Sequence, residues 1–164
     1  MKHLSLFIFA LFVAENALAQ PAQPAIALPP PYQYAAKIIC GKATPGVAAN
    51  GTYYTVVNVH NPDPIVLLDR YVGGRKKFVT TMPDEVISAG GNYTPFRLFS
   101  DGGMRIDCPN IWRHLGMQPG TFIDGFAVIE STGELDVVAV YTAEGLQGVS
   151  SIHTERVPFR KILF

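Results

Sequence analysis

The sequence is short of charge, of tryptophan and of cysteine. Of its 164 residues 16% are charged, 13 basic and 13 acidic, so the formal net charge is zero. A balanced chain has no general electrostatic pull on nucleic acid or on an anionic membrane, and nucleic-acid partners are set aside on that ground. After residue 20 no apolar run approaches the ~20 residues that a helical bilayer span needs. No repeat occurs at solenoid or propeller spacing. Chemistry is sparse too: there is no G-x-S-x-G turn, and no two of the four histidines stand at a metal-ligand spacing such as H-x-x-x-H. No cofactor-binding pattern is present.

What is there begins with an export pattern. Lys2 and His3 form a short positive region, and Leu4 to Ala14 is an unbroken apolar run. Ala17-Leu18-Ala19 then supplies the small residues at −3 and −1 for signal peptidase, with cleavage expected before Gln20. The run is too short for a transmembrane anchor, and Glu15 and Asn16 close it. The reading is a signal peptide over residues 1–19 and a secreted or periplasmic protein that does not span the membrane after cleavage. Residues 20–33 are a proline-rich leader, extended because proline lacks a backbone donor. A single domain follows over 34–164, starting near Tyr34.

That domain reads as β throughout. Ala35 to Cys40, Gly51 to His60 and Ile65 to Val72 are apolar, β-branched or aromatic stretches bounded by Gly and Pro. Phe78 to Met82 and Glu85 to Ser88 are weaker strands, separated from what precedes by Gly73-Gly74 and the basic Arg75-Lys76-Lys77. Thr121 to Ser131 and Leu135 to Thr142 flank Thr132-Gly133-Glu134 and read as a hairpin. Val149 to Val157 is a last, more polar strand. One helix is expected near 108–115, with Asp107 as N-cap, Pro109 in the first turn and Gly116 as stop. Many short strands and one short helix point to an all-β, antiparallel, immunoglobulin-like β-sandwich, with a closed barrel as the alternative.

Gly125 to Ser131 (GFAVIES), with Leu135 to Ala143 (LDVVAVYTA) and Val57 to Pro62 (VNVHNP), resembles segments of uncharacterised exported bacterial β-sandwich proteins. The resemblance implies a bacterial source and an immunoglobulin-like sandwich, and it carries over no functional residues. A fainter likeness is to the small β-sandwich transducers associated with sensory rhodopsins.

Cys40 and Cys108 are the only cysteines, and in an oxidising compartment they are expected to form a disulfide. His60, Asp63 and His153 are weak metal candidates that fall short of a full ligand set. Asp124, Glu130, Glu134 and Asp136 gather around the late hairpin, where acids are usually solvated caps. Arg75, Lys76, Lys77, Arg156 and Arg160 form the candidate anion-binding or partner-binding group. Asn50-Gly51-Thr52 and Asn92-Tyr93-Thr94 match the glycosylation pattern, which a bacterial source would make a chance match. The functional expectation is an exported, non-enzymatic binding or assembly module. It would take a protein or glycan partner, or form an oligomer, through a sheet edge or loops. The alternative is a small periplasmic hydrolase or metal-binding protein with a site assembled only in the fold.

Overall fold

The computed structural model describes residues 30–43, 48–63, 71–82, 85–145 and 148–162. The expected signal peptide, most of the leader and the stretch Ile65 to Arg70 lie outside them. Ten antiparallel strands and one helix make up the described fold. They are β1 (Tyr32–Lys42), β2 (Thr52–His60), β3 (Tyr71–Met82), β4 (Glu85–Gly90), β5 (Thr94–Phe99), β6 (Gly103–Asp107), α1 (Cys108–Leu115), β7 (Ile123–Ser131), β8 (Asp136–Gly145), β9 (Gly148–Arg156) and β10 (Phe159–Lys161).

The strands form two sheets that share β1. In the first, β1 lies between β10 and β7, and β7 pairs in turn with β3. The far side of β3 carries β5 along its first half and β4 along its second. In the second, β2 pairs with β8, and β8 with β9. The other side of β2 takes β6 and the tail of β1. The path β4-β3-β7-β1-β2-β8-β9 does not close, so the fold is an open sandwich and not a barrel. One core lies between the sheets, with Ile38, Val57, Phe78, Ile129 and Val137 all buried in it. Along β2 and β8 buried and part-exposed residues alternate, as expected of strands with one face on a core.

The passage of β1 from one sheet to the other is the hinge of the architecture. Through Cys40 it is paired with β7, and from Gly41 onward with β2. Gly41 adopts φ 86°, and a Cβ there would run into the backbone carbonyls of Gly120 and Thr121. A strand that changes partner leaves backbone groups stranded in the interior, and these must be satisfied. The buried Thr55 of β2 does so for Ile39: its Oγ1 accepts from the Ile39 N–H and donates to the Ile39 carbonyl, both at 2.9 Å. Beside it, the sulfurs of Cys40 and Cys108 stand at disulfide distance, 2.06 Å. The bridge ties the end of β1 to the first residue of α1.

The helix matches its sequence signals. The Asp107 carboxylate accepts from the Asn110 N–H at 3.1 Å, Pro109 sits in the first turn, and Gly116 caps the end in the left-handed region. Its inner face buries Ile111 and Trp112, and Trp112 Nε1 donates to the Thr121 carbonyl at 2.9 Å.

Three sequence expectations are corrected. β1 begins at Tyr32, two residues before the expected domain start, because Tyr32 and Gln33 pair with both Lys161–Arg160 and Ser131–Glu130. Gly73-Gly74 and Arg75-Lys76-Lys77 do not punctuate the chain; they lie inside β3, in the interior of the first sheet. Gly74 is glycine because a Cβ would collide with the Phe96 ring and the Glu130 carbonyl. Finally, β7 and β8 are strands but not a hairpin: β7 pairs with β1 and β3, and β8 with β2 and β9. Their connection is an arch between sheets. Thr132 N–H donates to the Gly73 carbonyl at 2.9 Å, and Leu135 N–H to Tyr34 Oη at 2.6 Å, which sends the two arms to opposite layers.

Two outcomes follow. Denatured, unreduced protein will show no reactive thiols, and reduction will cost about 4 kcal/mol of stability in a urea titration, the loop-closure value for cysteines 68 residues apart. Thr55→Val keeps the shape but strands both polar groups of Ile39, and a loss of about 1–3 kcal/mol is expected from the same titration.

Candidate functional site

The register of the first sheet assembles a polar row on its outer surface. Arg160 of β10 stands opposite Gln33 of β1, Gln33 opposite Glu130 of β7, and Glu130 opposite Arg75 of β3. Glu130 is only 4% exposed. Its Oε1 accepts from Gln33 Nε2 at 2.9 Å and from the Tyr93 hydroxyl at 2.5 Å. Its Oε2 accepts from Arg75 Nε at 2.6 Å. Gln33 Oε1 accepts in turn from Arg160 Nε at 2.6 Å. The Tyr93 ring lies between two cations, 4.2 Å from the Arg75 guanidinium and 4.7 Å from Lys77 Nζ.

Burial on its own pushes the Glu130 pKa upward. The hydrogen bonds from Tyr93, Arg75 and Gln33 and the Arg75 charge outweigh it, and the net shift is downward. The Tyr93 phenol is pushed up to about 12, by burial first and then by the carboxylate it serves. The carboxylate thus stays ionised, with both of its oxygens accepting hydrogen bonds. It is a structural acceptor that joins β1, β3 and β7 and the loop of Tyr93, and it is not a proton donor.

Strand alternation divides the rest of the basic group. Arg75 and Lys77 share the outer face, whereas Lys76 points to the other side, where its Nζ lies 3.4 Å from Met104 Sδ and 5.9 Å from the Phe96 ring centre. Burial lowers the Lys76 pKa. Arg156 belongs to the second sheet and pairs with Asp136 at 2.7 Å. The basic residues therefore form no single patch: Arg75 and Arg160 are joined through Gln33 and Glu130, and Lys76 and Arg156 stand elsewhere.

The metal candidates separate in the same way. His60 Nε2 lies 2.9 Å from Asp101 Oδ1, and His60 Nδ1 lies 3.8 Å from Asp136 Oδ2. His153 stacks on Tyr141, with ring centres 6.0 Å apart. His60 is opposite Asp136 of β8 and His153 opposite Tyr141, five residues further along, or roughly 17 Å at the rise of a strand. Asp63 offers its carbonyl to Asp101 N–H at 3.1 Å. Among the described residues no three His, Cys, Asp or Glu side chains converge as a metal site would require. Three of the four acids near the late strands pair apart, Asp124 with Lys37, Glu130 with Arg75 and Asp136 with Arg156, and the fourth, Glu134, lies in the connection between β7 and β8.

Sequence reasoning missed Gln33 and Tyr93, and β5 and β6 altogether. The signal for Tyr93 was weak, since it lies between strands. Gln33 was hidden by the prolines before it.

No family model matches the chain, and no curated protein does. A solved structure, Thermotoga maritima 1070, is similar in fold, with a TM-score of 0.53 and 9% identity over 82% of this chain and 97% of that one. At that identity the likeness concerns the all-β architecture alone. Among the described residues no helix is long and apolar enough to cross a membrane.

Because the folded Glu130 pKa is lowered, its contribution to stability is complete above the ordinary carboxylate range and is lost as pH falls through the folded value. Melting temperature is expected to hold steady from neutral pH to about pH 5 and to drop below that, relative to the usual Glu pKa of roughly 4.3. Glu130→Gln should cost about 1–3 kcal/mol at neutral pH and lessen the acid-side drop. Thermal unfolding across a pH series measures both.

Proposed function

We propose that the protein is an exported, non-enzymatic β-sandwich that works by binding, recruiting a protein partner or a further copy of itself along a sheet edge. Export is supported by the Met1–Ala19 pattern and fits a cysteine pair at disulfide distance. The observation that carries the binding reading is β9. This nine-residue strand pairs with β8 on one side and with no strand on the other among the described residues. Its sequence, GVSSIHTER, contains no lysine and no proline; the register shift opposite Ala143 and Glu144 falls in its first half, and its charges, Glu155 and Arg156, stand at its last two positions, so the stretch around Ile152 is the open part of the edge. Ile152, in its middle, is 68% exposed.

Another edge, β10 beside β1, is guarded by comparison, since it is three residues long and reads Phe-Arg-Lys. A free edge supplies a row of backbone donors and acceptors for strand addition, with side-chain pockets setting specificity. A glycan held on the loops is the variant of this reading that the edge does not favour. The hydrolase alternative draws no support from Glu130, whose two oxygens are both engaged in hydrogen bonds within the sheet.

Light scattering and pull-down of the exported protein from its native envelope or culture fluid test the reading. The expected result is a dimer or a retained protein partner, lost in Ile152→Lys, which places a charge in the middle of the edge while leaving the fold intact. A strict monomer with nothing retained would refute it, as would an unchanged complex in the variant. N-terminal sequencing that begins at Gln20 is the expected outcome for export.

A further inference from the structure

We propose that the open side of the sandwich beside α1 is a binding site for a compact oxyanion, a carboxylate or phosphate group carried on a small molecule. The site is independent of the β9 edge, and neither proposal depends on the other.

Its walls come from elements that the topology brings together without pairing them. β3 belongs to the first sheet and β6 to the second, and α1 follows β6 directly. Between them is a cleft of about 190 Å³. Lys76 enters it from β3, Arg105 from β6, and Arg113 and His114 from α1, over a floor of the buried Phe78 and Ile106. A space of this size suits a headgroup, being smaller than the pockets that take whole drug-sized molecules, roughly 300–1,000 Å³.

The charges in the cleft do not cancel. Asp107 is the carboxylate beside it. Its oxygens are occupied: Oδ1 accepts from Asn110, and Oδ2 pairs with Arg105 at 3.0 Å. That neutralises one of three full cations. The side chain of Arg113, exposed on the last turn of α1, has no ion pair or hydrogen bond among the described residues. Lys76 is the telling group. It is half-buried, and the acceptor it meets is the thioether of Met104, a weak one, although an ammonium has three donors to place. Burial lowers its pKa, the cost of an ammonium held away from water without a counter-charge.

An oxyanion in the cleft would accept from the Lys76 ammonium and from the guanidinium fork of Arg113, the pairing that planar oxyanions favour. His114 is held as a wall. Its Nε2 lies 3.2 Å from the Asn92 carbonyl, its Nδ1 lies 3.4 Å from Thr94 Oγ1, and its ring meets Phe78 edge-on at 4.9 Å. The contrast with Glu130 supports the assignment: there every buried acceptor has its donor, whereas here the donors outnumber the acceptors.

The test is titration of the exported protein, at low ionic strength, with inorganic phosphate and separately with succinate, followed by calorimetry and by amide chemical shifts. Low salt matters because exposed cations are screened. Saturable binding of at least one probe is expected, with shifts concentrated at Lys76, Asn110 and Arg113. Lys76→Met, which keeps the packing volume, and Arg113→Gln should each weaken it about tenfold, the worth of one charge-assisted hydrogen bond. Lys161→Gln, on β10 and outside the cleft, removes the same charge and should leave affinity within about twofold. Binding of phosphate alone assigns a phosphate-bearing ligand, and of succinate alone a carboxylate. Binding of both assigns a general oxyanion site. No saturable binding of either probe overturns the proposal, as does equal weakening by Lys161→Gln. Should Lys76→Met fail to fold, the exposed Arg113→Gln still decides.

Discussion

The structure depends on one junction, where β1 leaves the first sheet for the second between Cys40 and Gly41. Two sheets sharing a strand have no freedom to slide, and the position of every other element follows from the angle at that point. The junction is stabilised in three ways. Gly41 allows a backbone conformation that other residues rarely adopt. Thr55 supplies the hydrogen bonds that Ile39 loses by changing partner. The Cys40–Cys108 pair brings the start of α1 against the junction, and the Thr55 N–H lies 3.2 Å from Cys108 Sγ. α1 in turn forms one wall of the cationic cleft, so the same junction that fixes the sandwich also fixes the placement of Arg113 and His114.

The parts of this arrangement that were legible in the sequence are those set by local rules. The helix was, because its cap, its first-turn proline and its terminal glycine are neighbours in the chain. β2, β8 and β9 were, because β-branched residues and turn glycines mark them within a few positions. Partnering was not. Thr121 to Thr142 has the local signature of a hairpin, and yet its arms belong to different sheets. The deciding contacts, from Thr132 to Gly73 and from Leu135 to Tyr34, come from 59 and 101 residues away. Gly73-Gly74 misled for a related reason. Glycine marks turns when its conformation is what matters, but at Gly74 the missing side chain matters, because Phe96 occupies the space.

The candidate sites were partly legible for the same physical cause. Arg75-Lys76-Lys77 reads as one basic run, and in a loop it would be one. Inside a strand the side chains alternate, so the run becomes two outward cations and one inward. Once β3 is known to pass through it, the division is arithmetic. The polar row on the outer face was out of reach, because it joins Gln33 to Arg160 across 127 residues by way of two strand registers. A lone Glu in an apolar strand, Glu130, was the one local hint: a carboxylate among β-branched neighbours must find donors or lose its charge.

Glu130 and Lys76 are therefore the same problem with different answers. Each is a charged side chain drawn partly out of water by the strand that carries it. Around Glu130 the fold provides an arginine, an amide and a phenol, and the carboxylate is held ionised with both oxygens engaged. Around Lys76 it provides a thioether and an aromatic ring, which stabilise an ammonium only weakly. A chain with 13 acids and 13 bases has carboxylates enough to place one opposite Lys76, and Asp107, at the start of α1, is instead engaged by Asn110 and Arg105. The row on the outer face, with both carboxylate oxygens engaged, serves stability. The cleft, where donors exceed acceptors, would gain instead from an anion that enters it.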